Sequence, residues 1–201
     1  MKPGTYTLSA SSTLTASGTS SNWIRVTQWE GTNGSVIVEG NGAVDYPIIL
    51  SGSFIRIDRL IVRKARIACI RMNSDNRNDL WFDHLTVTDW DLNAGADQYY
   101  AGISIQNNPT RIVVEYCSFK KRATLSDADP GQRDGTGNGI WIKAGTQYGT
   151  DSGGQHVFRY NTFVGGYDPI GSEVEDDVRG GFFYNTDIYG NTIRYWADDA
   201  I

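Results

Sequence analysis

Apolar residues in this chain fall in short alternating runs broken by Gly, Asn, Asp and Ser, and almost nowhere recur at the three-to-four spacing of a helix. The pattern predicts an all-β protein. The runs also resemble one another. Ile55 to Val62 aligns with Leu80 to Val87, Ile112 to Phe119, His156 to Phe163 and Thr186 to Ile193, at steps of 25, 32, 44 and 30 residues. A shorter apolar element precedes each copy: Pro47 to Leu50, Cys69 to Met72, Gly102 to Ile105, Gly139 to Ile142 and Gly181 to Tyr184, three of them reading Gly-Ile-x-Ile or close to it. Constant strands joined by connections of variable length suit a solenoid, because stacking requires the same backbone path at each level while outside loops are free in length. About five to six coils of at least three short strands are expected.

The alignment predicts two interior columns, one of Leu60, Leu85, Cys117, Asn161 and Asn191, the other of Ile57, Phe82, Val114, Phe158 and Ile188. Stacked Asn161 and Asn191 would hold the tight turn by hydrogen bonds along the stack. Cys69 and Cys117 are expected as free buried thiols. The Gly-Ile-x-Ile strands, the Tyr160-Asn161-Thr162 and Gly190-Asn191-Thr192 corners and the opening Pro3-Gly4-Thr5-Tyr6-Thr7-Leu8 resemble the right-handed parallel β-helix proteins of the pectate-lyase-like superfamily over about residues 45–201. One continuous domain is expected, with less regular coils in residues 1–44 and regular repeats over 45–201. Because Ala200-Ile201 resembles the start of another Gly-Ile-x-Ile strand, the chain reads as an N-terminal part of a longer β-helix.

Charge narrows the partners. With 18 Lys+Arg against 23 Asp+Glu the net charge is -5, and the longest basic run is Lys120-Lys121-Arg122, which disfavours a nucleic-acid binder. No stretch approaches the apolar length of a membrane span, and the first residues lack the apolar segment of a signal peptide. An extracellular or periplasmic location is nevertheless expected from the resemblance, the export signal being absent from this sequence.

Strand alternation places the x residue of each Gly-Ile-x-Ile element, and the residue after the motif, on the outside. These two columns read Arg71, Ser104, Trp141, Phe183 and Asn73, Gln106, Lys143, Asn185. Rings stack on the C–H faces of sugars and amides bond their hydroxyls, so this face is a candidate saccharide floor; the alternative is an ordinary outer face covered by adjacent loops. Residues 89–101, 122–138, 144–155 and 165–180 would wall the groove. Asp176 and Asp177 in one loop, and Asp198 and Asp199 in the next, form a candidate calcium site, the alternative being solvated acidic loops. A second outward column, Asp58, Asp83, Glu115 and Arg159, reads as structural, with only Glu115 having an evident partner in Arg159.

The resemblance implies a polysaccharide lyase acting on a uronate polymer by β-elimination. Lys143 is the expected base, with Arg71 the second candidate, and calcium or cations neutralise the uronate carboxylate. Two alternatives remain. Asn185-Thr186-Asp187 and Asp198-Asp199 are similar to short motifs of polygalacturonases, although the other motifs of that family are missing. The same fold also serves as a non-catalytic polysaccharide-binding rod in tail spikes and adhesins.

Overall fold

The computed structural model describes residues 1–30, 33–72, 78–92, 100–106, 109–122, 137–143, 154–173 and 185–196. The chain repeats one circuit of three strands. The first two circuits are β1 (Gly4–Thr7), β2 (Ser12–Leu14), β3 (Ile24–Thr27), then β4 (Val36–Glu39), β5 (Ile48–Leu50), β6 (Ile55–Asp58). The next two are β7 (Leu60–Arg63), β8 (Ile70–Met72), β9 (Asn78–Asp83), then β10 (Thr86–Thr88), β11 (Ala101–Gln106), β12 (Thr110–Glu115). Last come β13 (Ser118–Lys120), β14 (Asn138–Lys143), β15 (Val157–Arg159), then β16 (Thr162–Val164), β17 (Ile170–Glu173), β18 (Asp187–Tyr189) and β19 (Thr192–Arg194). Every third strand pairs in parallel. Sheet 1 runs β1-β4-β7-β10-β13-β16-β19, sheet 2 runs β2-β5-β8-β11-β14-β17, and sheet 3 runs β3-β6-β9-β12-β15-β18. This is an all-β parallel β-helix, with no helix among the described residues and so none long and apolar enough to cross a membrane. Strands from residues 1–44 pair into the same three sheets as the later ones.

Alternation fills the lumen. On sheet 3 the column Ile57, Phe82, Val114, Phe158, Ile188 is in register as expected, and the first four are buried. On sheet 1, Val62, Val87, Phe119 and Phe163 follow one another inside, the two rings stacked at 4.8 Å. Those rings explain the glycine of Gly-Ile-x-Ile. A Cβ on Gly102 would lie 2.7 Å from the Gly139 carbonyl oxygen and 2.9 Å from Phe119 Cδ1, and one on Gly139 would lie 2.5 Å from the Pro169 carbonyl oxygen and 2.7 Å from Phe163 Cδ1, so the next coil's backbone and the phenylalanine together occupy the space a side chain would need.

The corner between sheets 3 and 1 is made by one left-handed residue per coil: Arg59, His84, Tyr116, Tyr160 and Gly190 all have φ between 51° and 67°. The next residue points inward, giving the column Leu60, Leu85, Cys117, Asn161, Asn191. Its side chains bond the coil before: the Asn191 Oδ1 accepts from the Asn161 N–H at 2.9 Å, the Asn161 Oδ1 from the Cys117 N–H at 2.9 Å, and the Cys117 Sγ from the Leu85 N–H at 3.4 Å. Both thiols are free and buried; burial pushes Cys117 up to about 12 and Cys69 higher still.

The outward acids of sheet 3 correct the reading from sequence, because each has a partner. The buried Asp58 accepts from Arg25 Nε at 2.8 Å and Nη2 at 2.9 Å and from Thr27 Oγ1 at 3.0 Å. Asp83 pairs with Arg56 and His84, and Glu115 accepts from Arg159 Nε at 2.6 Å and Trp81 Nε1 at 2.9 Å. Burial pushes the Asp58 carboxyl up, but its hydrogen bonds from Arg25 and Thr27 outweigh this and hold it below the usual carboxylate value. Asp58 and Asp83, like charges one coil apart, are tolerated because Arg56 of the neighbouring outward column reaches both.

Candidate functional site

Sheet 2 carries the face singled out from sequence. Its first outward column runs in register through Ile49, Arg71, Ser104, Trp141 and Gly171. The second runs Gln106, Lys143, Glu173, so that Lys143 sits one strand spacing, about 4.8 Å, from a glutamine on one side and a glutamate on the other. The side chains of Lys143 and Glu173 lie outside the described set, as do Asn73, Phe183, Asp176, Asp177, Asp198 and Asp199.

Arg71 is held from two directions. Its guanidinium carbon stands 4.5 Å from the centroid of the Tyr46 ring, and Nη2 donates to Gln106 Oε1 at 3.1 Å. Gln106 in turn donates from Nε2 to Ser104 Oγ at 3.1 Å. A fixed guanidinium keeps donors for a carboxylate while giving up little rotamer entropy on binding.

Trp141 points outward but is only 2% exposed, and Ser104 is fully buried. The indole lies against Gly171, where a Cβ would come within 3.1 Å of Cε3 and Cζ3 and equally close to the Asp168 carboxylate. The half-buried Arg71 and Gln106 are therefore the partly accessible described side chains of this face, and the tryptophan is covered beside them. Asp168 is fixed by its own N–H, which donates to Oδ1 of the buried Asn138 at 3.1 Å.

The register corrects one strand assignment. The neighbour of β14 is β17, so Gly171, not Phe183, takes the position beside Trp141. The step from Ile140 to Ile170 is 30 residues, the same as from Val157 to Asp187 and from Phe163 to Ile193, which is what three strands of one coil require. It follows that residues 165–169 enter sheet 2 while residues 174–186 leave it, so Asp176 and Asp177 come after their strand and not before it. Asn185 falls at the left-handed corner entering sheet 3, with φ 48°, and not on the sheet 2 face. Tyr46 and Gly171 were missed from sequence; the equal 30-residue step was the signal that could have found the second.

Among the described residues no three or more His, Cys, Asp or Glu side chains are grouped to hold a metal ion. No family model, no curated protein and no solved structure matches this chain.

Proposed function

We propose that this β-helix is a carbohydrate-active protein of the pectate-lyase-like kind, acting outside the cytoplasm on a uronate-containing polysaccharide by β-elimination. The observation that carries the reading is the register on sheet 2, which sets Lys143 between Gln106 and Glu173 in the column beside a guanidinium, Arg71, anchored on Gln106. In this mechanism Arg71 pairs with the uronate carboxylate and makes the proton on the adjacent C5 more acidic. Lys143, as the free amine, takes that proton. The C5–H electrons form the C4–C5 double bond as the C4–O bond breaks, and the departing oxygen takes a proton from solvent or from the ammonium just formed. A lysine base acts only as the free amine, so turnover should rise with pH until the amine is free. Calcium would be the accessory cation, held by the carboxylates of Asp176, Asp177, Asp198 and Asp199 and supplying positive charge to neutralise the uronate.

The covered state of Trp141 and Ser104 favours a second reading, a polysaccharide-binding rod without turnover. Mixing the protein with pectate, alginate or a glycosaminoglycan separates the readings. A lyase raises ultraviolet absorbance through the conjugated product, a hydrolase releases reducing ends without it, and a rod binds and does neither. Lys143→Ala should lower turnover by about 10²–10⁴-fold with little loss of binding; full turnover in that variant would remove Lys143 as the base.

A further inference from the structure

We propose that the edge where sheet 3 turns into sheet 1 is a second, separate binding surface, for a linear acidic polysaccharide lying along the solenoid axis. Most polar groups on sheet 3 are consumed within the molecule, as the ion pairs of Asp58, Asp83 and Glu115 show. Next to them the pattern reverses. The first outward positions of sheet 1 over four successive coils are Thr86, Ser118, Thr162 and Thr192, in register. Thr162 and Thr192 are exposed and the other two half-buried, and none of the four hydroxyls makes a hydrogen bond among the described residues. Two residues before each hydroxyl stands the left-handed corner residue, so this row lies directly beside a row of His84, Tyr116 and Tyr160. Their rings stack at 5.1 and 5.2 Å with 22° and 21° between planes. Tyr116 is 49% and Tyr160 45% exposed, and neither phenol oxygen has a partner among the described residues.

The ring faces are spent on one another, so what the row offers a ligand is edges and hydroxyls, one set per coil at about 4.8 Å. A repeating hydroxylated chain meets such an array residue by residue, whereas a compact ligand would use one or two sets. Charge favours an acidic chain: β10, β13, β16 and β19 carry no carboxylate, and the exposed Arg194 stands two positions beyond Thr192 at the end of the row. The connections at this edge are one or two residues from β6 onward, so no long segment arises there. The surface shares no residue with the strip of Arg71 and Lys143, and the two readings can fail separately.

Electrophoresis of the full chain through gels containing pectate or alginate tests the surface. Thr162→Glu combined with Arg194→Glu should weaken retardation by about tenfold or more, since like charges are then placed along the path, while Lys2→Glu combined with Ser11→Glu, the same change of charge on exposed residues of the first coil, is retarded as the unmodified chain is. Circular dichroism and thermal melting verify the fold of each variant. Should the charged variant not fold, Tyr116→Phe with Tyr160→Phe keeps the ring stack and removes two hydroxyls; it should weaken binding several-fold. Unchanged retardation in a folded charged variant overturns the proposal, as does unchanged retardation in the phenylalanine pair when the charged variant does not fold. Equal retardation of the unmodified chain by single-stranded DNA, or none by either glycan, overturns it too.

Discussion

From β6 onward the chain turns between sheets 3 and 1 through residue 59, then 84–85, 116–117, 160–161 and 190–191; over the same coils it travels into sheet 2 through 64–69, 89–100, 121–137 and 165–169. The first edge is held to a fixed length by three couplings. A left-handed residue makes the bend, the following side chain bonds the backbone of the coil before from Cys117 onward, and stacked rings cover part of the outside. At the second edge the only general requirement is that the chain re-enter in register, and length is cheap there because loop closure costs grow with its logarithm. Constancy at one edge is what permits variety at the other.

The comparison breaks most sharply by insertion. One glycine added between Tyr160 and Asn161 shifts β16 by one position, turns Phe163 outward and Thr162 inward, and should abolish cooperative unfolding in denaturant; the same residue added within 123–136 should change stability by less than about 1 kcal/mol. Phe158→Ala, in the filled column of sheet 3, should cost about 3–5 kcal/mol by chemical denaturation.

A pH experiment sharpens the contrast next. His156 is 1% exposed, stacked on Phe158, with its ring nitrogens each 3.2 Å from a backbone N–H, of Ile112 and of Gly154. Burial pulls its imidazole down to about 4. The fold therefore prefers the neutral ring, and stability present above about pH 6.5 is lost as pH falls toward 4, by up to about 3 kcal/mol. His156→Leu, matching Leu80 and Ile112 in the same column, should be weaker at pH 7 but nearly flat over that window. Below it Asp58 and Glu39, both held below the usual carboxylate value, still impose acid unfolding: their stabilisation is present above that value and lost as they protonate. A smaller effect belongs to the corner: Asn161→Ala leaves the Cys117 N–H without its acceptor and should cost about 1–3 kcal/mol, with Asn191→Ala, half-buried at the last described corner, costing less.

The same asymmetry decided what could be read from sequence. Column membership at the tight corner was legible down to single residues, since a fixed-length bend ties Cys117, Asn161 and Asn191 to one position. Sheet 2 was legible only where its spacing agreed with the other sheets: Gly139 to Ile142 was placed, while the next strand is Ile170–Glu173 and not Gly181 to Tyr184, whose apolar run is the more evident in sequence. The partners of Asp58 and Asp83 were missed because Arg25 and Arg56 belong to the preceding coil and the adjacent column, a diagonal that alignment of repeats does not display. Trp141 is 2% exposed, which is the alternative of a covered outer face; alternation gives direction and not cover, so sequence left the two readings open.

The register also bears on how the chain finds its fold. Each coil pairs only with its neighbours, so forming the first contact means closing one circuit. On sheet 3 these circuits span 25 residues between Ile55 and Leu80, 32 between Leu80 and Ile112, 44 between Val113 and Val157 and 30 between Val157 and Asp187. Closure of the longest costs only about 0.5 kcal/mol more than the shortest. The kinetic nucleus is therefore chosen by side chains more than by distance, and the docking of β9 on β6 combines the shortest closure on sheet 3 with Phe82 against Ile57 and the bridge from Arg56 to Asp83. From there assembly can spread in both directions one turn at a time.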